Sequence, residues 1–239
     1  MDIVVVPTAN HLDKYDLTNR LVIILDILRS TTCITTALDH GSVGIIPALD
    51  ADQALAVAKD LEPDSYVLAG EYLGNRIPSF TLDNSPDSFI PELVKDKLII
   101  MSTTNGTKAI VKALNGSKIL IGSLLNRSAV CTYAASEQKA IVMACSGTQG
   151  IFSLEDTLAA GACIDLLCSI KPYSLSDLAL AALSLYRNHK HNLAEPLLHS
   201  QNGRSLQGQG LIKDIHYAAQ LDTSSAIPLY AQGVIKKFT

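Results

Sequence analysis

Seven short aliphatic runs punctuate the chain, and most of them hold almost no polar residue. The clearest are LVIIL at 21–25, LIIM at 98–101, ILI at 119–121 and IVMA at 141–144. A strand that is apolar at every position, rather than at alternate ones, must be covered on both faces. That is the condition of a parallel strand between two helix layers. Between the runs lie amphipathic segments of helical length. The pattern predicts strands over residues 3–6, 21–26, 43–47, 66–69, 98–102, 119–121 and 140–144. It predicts helices over 31–38, 51–61, 107–114, 128–135, 155–169, 174–188 and 210–220. Such alternation reads as an α/β chain with a mainly parallel sheet or sheets flanked by helices. No linker, low-complexity tract or charge block divides residues 1–239, so a single body is expected.

Two stretches resemble each other. Residues 21–47 and 98–122 each read as buried strand, Ser/Thr-rich turn, helix ending in Ala-Leu, glycine stop and second strand. The pairing suggests two related βαβ-type halves whose polar turns face a shared crevice, although any two βαβ units share this outline. Gly41 and Gly116 fit left-handed helix stops. Residues 70–90 and 199–210 show no clear periodicity and read as long connections.

Composition removes several classes. Mean hydropathy is +0.24, yet no apolar run approaches the roughly 20 residues of a spanning helix. The start, MDIVVVPTAN, lacks a basic leader, and with it a secretory signal, so a cytoplasmic location is expected. A net charge of -4, a pI near 5.8 and the absence of any Lys/Arg run argue against nucleic acid. The five cysteines are odd in number and show no CxxC, which disfavours disulfides or structural zinc. A homodimer is compatible with so aliphatic a chain.

Ligands of open α/β sheets bind beyond the carboxyl ends of the strands, so the turns there are where chemistry is expected. After the run at 21–25 come Asp26, Arg29, Ser30 and Thr31: an acid, a planar donor fork and two hydroxyls opening a helix. The bland alternative is helix capping with Arg29 in a surface ion pair. After the run at 98–102 come Thr103, Thr104, Asn105, Gly106 and Thr107, an anion cradle without the lysine of a nucleotide P-loop. Gly147 and Thr148 follow a third run, and Ser153 is placed to cap a helix whose first turn holds Glu155 and Asp156. Glu71 lies at another strand end, and Asn84 and Ser85 sit in what reads as an exposed turn. Cys145 is no phosphatase nucleophile of the Cys-x5-Arg kind, because position 151 is Ile. His189, His191 and His199 are spaced too loosely for a metal site on one helix face. Anion donors beside two strand-end carboxylates suggest a small phosphorylated substrate with Mg²⁺.

Taken in order, Asp26-x-Leu28-Arg29-Ser30-Thr31-Thr32, Gly70-Glu71, Asn84-Ser85-Pro86, Thr103-Thr104-Asn105-Gly106-Thr107, Gly147-Thr148 and Glu155-Asp156 resemble the 2-phosphosulfolactate phosphatase family. The resemblance runs across most of the chain. It implies an α/β fold that is neither a standard Rossmann nor a haloacid-dehalogenase fold. It also implies Mg²⁺-dependent hydrolysis of 2-phosphosulfolactate to 3-sulfolactate and phosphate, a step towards coenzyme M in methanogens. On that basis Asp26 and Glu71 are expected to hold the metal. Arg29, with the 103–107 turn, is expected to bind the phosphate. Tyr72 stands where the family commonly has Arg, with Arg76 as the nearby substitute. Ser30 and Ser146 stand where it often has Ala, and Asp83 where a small residue is common. A phosphatase for another small organic phosphate, a non-catalytic anion-binding protein and a lyase or isomerase remain the alternatives.

Overall fold

The computed structural model describes residues 1–238. Its strands are β1 (Asp2–Val6), β2 (Leu21–Leu25), β3 (Gly44–Ala48), β4 (Tyr66–Tyr72), β5 (Asn75–Arg76), β6 (Leu98–Ser102), β7 (Lys118–Gly122), β8 (Ile141–Cys145), β9 (Ser174–Leu175), β10 (Pro228–Ala231) and β11 (Val234–Lys237). They form one sheet in the order β5-β4-β6-β3-β11-β10-β7-β2-β8-β1-β9. Parallel pairing joins β4, β6 and β3 in one array and β7, β2, β8, β1 and β9 in another. The antiparallel hairpin β10–β11 stitches the two arrays together.

The helices are α1 (Ser30–Asp39), α2 (Ala51–Ala58), α3 (Pro91–Val94), α4 (Gly106–Lys112), α5 (Arg127–Ser136), α6 (Leu154–Ile170), α7 (Asp177–His189), α8 (Ala194–His199), α9 (Gln201–Gly208) and α10 (Ile212–Ala218). They cover both faces of the sheet, which explains the unbroken aliphatic runs. In β2, Leu21, Ile23 and Leu25 join the core under α5, α6 and α7. Val22 and Ile24 face the opposite core with Ile34 of α1 and Ile110 of α4. Each such side chain contributes roughly 2 kcal/mol on burial, so a charge within this strand would be costly on either face.

The two mutually similar stretches fold as β2–α1–β3 and β6–α4–β7. β2 pairs with β7 and β3 with β6, both in parallel register. Among the described residues, no helix is long and apolar enough to cross a membrane.

Several predicted details are corrected. Residues 174–175 form β9, and α7 starts only at Asp177 behind the N-cap of Ser176. The 199–210 stretch is mostly α9, capped by Ser200, whose Oγ accepts the Gly203 N–H at 3.0 Å. Within 70–90, β4 runs on to Tyr72 and turns back through β5. Gly41 has φ +90°, as a left-handed stop requires, but Gly116 does not adopt positive φ. At Gly116 space is what matters: an added Cβ would lie 2.8 Å from Val22 Cγ2.

Candidate active site

The turns leaving β2 and β6 converge on one cleft of about 110 Å³. Asp26, Arg29, Glu71, Asn84, Thr104, Asn105 and Thr148 all line it. Residues spread over more than a hundred positions thus reach a common space.

Asp26 is fixed by its own main chain. Its carbonyl accepts the Thr31 N–H at 2.9 Å, and its N–H donates to Thr31 Oγ1 at 3.1 Å. The carboxyl is buried, and its pKa is pushed up to about 7. Burial is the main cause, followed by the negative charges of Glu71 and Glu155. The Ser30 N–H and Arg29 oppose the shift.

Glu71 occupies the cradle that the sequence offers to an external anion. Thr104 donates its N–H to Oε1 at 2.8 Å and its hydroxyl to Oε2 at 3.0 Å, and the Gly74 N–H reaches Oε2 at 2.6 Å. Asp156 fills a second cradle, accepting the Ile27 N–H at 2.9 Å and the Gly147 N–H at 3.1 Å. Its pKa is raised well above the ordinary value, by burial first and then by Asp26 and Glu155. The Ile27, Thr104 and Gly147 N–H groups of these turns are therefore spent on the protein's own carboxylates. Thr103 and Thr107 are likewise committed to each other, with the Thr107 hydroxyl donating to the Thr103 carbonyl at 2.8 Å.

Gly106 acts by its size. It approaches the Asp26 and Ser30 side chains, rather than allowing a ligand near the backbone. Glu155 lies behind the cleft and accepts from Asn202 Nδ2 at 2.7 Å, while the same nitrogen reaches Thr148 Oγ1 at 2.8 Å. Ser153 caps α6 through the Asp156 N–H, as its spacing suggests.

Arg29 forms no surface ion pair. Its side chain is 4% exposed, and Nη1 donates to Asp214 Oδ2 of α10 at 2.6 Å. Asp214 Oδ1 accepts the Ser85 hydroxyl at 2.7 Å. This pairing buries the 84–86 turn, which is not exposed: Asn84, Ser85 and Pro86 are all covered. Two buried polar atoms near the cleft, Ser30 Oγ and Asn84 Oδ1, have no hydrogen-bond partner.

The site has an excess of negative charge. Asp26, Glu71, Glu155 and Asp156 are crowded together, and Arg29, the cation nearby, is already paired. A divalent cation would relieve this crowding. Among the described residues no three His, Cys, Asp or Glu side chains form a ready cage. Two cleft-lining carboxylates, Asp26 and Glu71, are nevertheless the number Mg²⁺ commonly takes, with water and substrate oxygens completing its shell. Elsewhere, burial pushes the Cys145 thiol well up, as befits a core residue. His199 bonds Glu195 Oε1, His189 Nδ1 stands 3.1 Å from Glu195 Oε2, and neither lines the cleft.

A sequence pattern defining a family described as 2-phosphosulpholactate phosphatase matches residues 6–233. The chain belongs to the 2-phosphosulfolactate phosphatase family. Relatives named "Probable 2-phosphosulfolactate phosphatase" span nearly its whole length. The one from Caldanaerobacter subterraneus subsp. tengcongensis is 36% identical over 96% of this chain and 95% of its own. That from Symbiobacterium thermophilum is 36% identical over 92% and 95%, and that from Clostridium tetani 33% over 99% and 100%.

Within this family member, Tyr72 projects outward from the β4–β5 hairpin. Arg76 does not line the cleft, and its Nη1 is turned to the carbonyls of Phe80 and Thr81. Asp83 is occupied locally, accepting from the Ser85 N–H and the Ser88 hydroxyl. Asn202 and Ser205 of α9, with Gln209 just past its end, form a wall that the sequence reading missed. Asp214 was missed too. The polar, aperiodic character of 199–210 was the available signal for α9, while nothing in the sequence marked Asp214.

Proposed function

We propose that this phosphatase family member hydrolyses 2-phosphosulfolactate to 3-sulfolactate and inorganic phosphate with Mg²⁺. The observation that carries the reading is the meeting of crowded carboxylates and a buried arginine fork in one polar cleft. Asp26 and Glu71 would hold the ion. When bound, Mg²⁺ supplies neutralisation of the phosphoryl oxygens and a more acidic water.

Arg29 is assigned to the phosphoryl group, where charge develops in the transition state. The 103–107 turn supports this indirectly, by holding Glu71, instead of wrapping the phosphate. Asn84, Asn105, Thr148, Ser205 and Gln209 offer neutral donors for the sulfonate and carboxylate. Neutral donors suit a chain whose overall charge is negative, because attraction of a polyanion must then be local. The proposal carries the family's link to coenzyme M as the fate of the product.

The test is phosphate release from 2-phosphosulfolactate and from two plainer phosphoesters, with Mg²⁺ and with EDTA. Metal-dependent release favouring the sulfonate is expected. Saturable binding without turnover at any divalent ion would leave an anion-binding protein instead. Equal turnover of all three esters would overturn the substrate assignment.

A further inference from the structure

Arg29 donates one hydrogen bond to the described protein, to Asp214, although a guanidinium carries five N–H donors. An arginine buried only to hold the fold would spend its fork on protein acceptors, because unpaired buried donors are costly. Here Arg29 lines the cleft, and none of its other guanidinium nitrogens is a fully buried atom left without a partner. Asp214 is 2% exposed and is itself held by Ser85, so the Ser85–Asp214–Arg29 chain is a fixed strut. It links positions 85, 214 and 29, with Asp214 lying 185 residues from Arg29 in sequence.

We propose that Asp214, braced by Ser85, is a positioning residue that aims the free edge of Arg29 at a substrate oxyanion. This rests on the reading that Arg29 serves the phosphoryl group. Asp214 takes one corner of the planar fork from behind. The other edge is left to make two parallel bonds to a phosphate, the geometry in which arginine excels. Asp214 itself touches no substrate atom. Its charge also keeps the guanidinium from collapsing onto Asp26, whose carboxylate is thereby left for other work.

The test is a double-mutant cycle in kcat, run with 2-phosphosulfolactate and Mg²⁺, alongside calorimetric binding of inorganic phosphate. Asp214→Asn keeps the shape of the side chain and is expected to lower kcat about thirtyfold, with KM within about threefold. In an Arg29→Ala background the same change should cost less than about threefold, because its agent is gone. Phosphate binding in Asp214→Asn should stay within about threefold of the parent, as KM does, and should weaken no more than in Arg29→Ala. Should Asp214→Asn fail to fold, Ser85→Ala carries the test: a severalfold loss of kcat that disappears in the Arg29→Ala background. An equal loss in both backgrounds overturns the proposal, as does a folded Asp214→Asn with full kcat. The parent reading fails separately: full kcat in Arg29→Ala would remove Arg29 from the site whatever Asp214 does.

Discussion

Gly106 stands so close to Asp26 that a Cβ on it would lie 2.7 Å from Asp26 Oδ2, and 2.4 Å from Ser30 Oγ. The first residue of α4 therefore sets the position of the carboxylate that ends β2. Gly106 does not adopt positive φ, so its backbone tolerates alanine and only the contact is at issue. Gly106→Ala should displace Asp26 into the cleft and lower kcat/KM by at least about a hundredfold, or roughly 2.7 kcal/mol. Steady-state kinetics and a thermal melt check it together. The melt should fall by about 2–12 °C, since a local rearrangement of this size costs about 1–3 kcal/mol. Retention of full activity would detach the placement of Asp26 from catalysis.

Asp26→Asn separates stability from function. The native carboxylate is destabilised by burial and by Glu71 and Glu155, whereas the amide is neutral. Without metal at pH 8, the variant should melt several degrees above the parent, each 1 kcal/mol being worth about 2–4 °C at this size. Its phosphatase activity should fall at least about a hundredfold. A lower melting temperature would show that the carboxylate is not under the strain its surroundings impose.

The same groups set the pH dependence of the metal-free protein. Below the ordinary carboxylate value of 3.8, Asp26 is protonated in both folded and unfolded chains and costs nothing. Between that value and about 7 the unfolded chain ionises while the buried group keeps its proton, so stability falls as pH rises. Asp156 adds in the same direction. The acids with lowered values, Asp16, Glu137 and Asp222, act below the ordinary carboxylate range and leave this window alone. Melting in EDTA should therefore be highest near pH 5 and lower at pH 8. Added Mg²⁺ should raise it more at pH 8 than at pH 5, because protons and metal compete for the same oxygens. A flat profile in EDTA would contradict the buried-carboxylate picture.

Seven strands, β1 to β4 and β6 to β8, were legible because two-sided burial leaves an aliphatic run that no other element needs, whereas the two-residue β5 and β9 are too short to leave one. The β10–β11 hairpin was not legible either. Its turn residues Gln232 and Gly233 both have positive φ, and glutamine is a poor advertisement for that geometry beside asparagine or aspartate. α9 was hidden by Gly203 and Gly208. Gly203 is there because an added Cβ would meet the Leu197 carbonyl oxygen at 1.8 Å. At the site, the strand-end turns carrying Asp26 and Thr104 were visible as places where chemistry belongs. Their partners were not, since spacing cannot show that Thr104 serves Glu71 or that Asp214 crosses the chain to Arg29. Donor-rich turns look alike whether they await a substrate anion or already hold a carboxylate.

Thr104 tests which of these two uses the β6 turn has. Its hydroxyl donates to Glu71 Oε2 and accepts the Leu73 N–H at 3.0 Å, so it binds the β4–β5 hairpin to the carboxylate. Thr104→Val keeps the branched shape and the backbone N–H to Oε1, and removes only the hydroxyl. Groups that orient a metal-binding carboxylate typically contribute about 10–100-fold in metal affinity. With Glu71 as a ligand, the variant should need about tenfold more Mg²⁺ for half-saturation, with kcat at saturating metal nearly unchanged. Direct calorimetric titration of Mg²⁺ into the substrate-free protein should show the same tenfold loss. If the hydroxyl instead met the substrate, the loss would appear in KM at every Mg²⁺ concentration and the titration would not move.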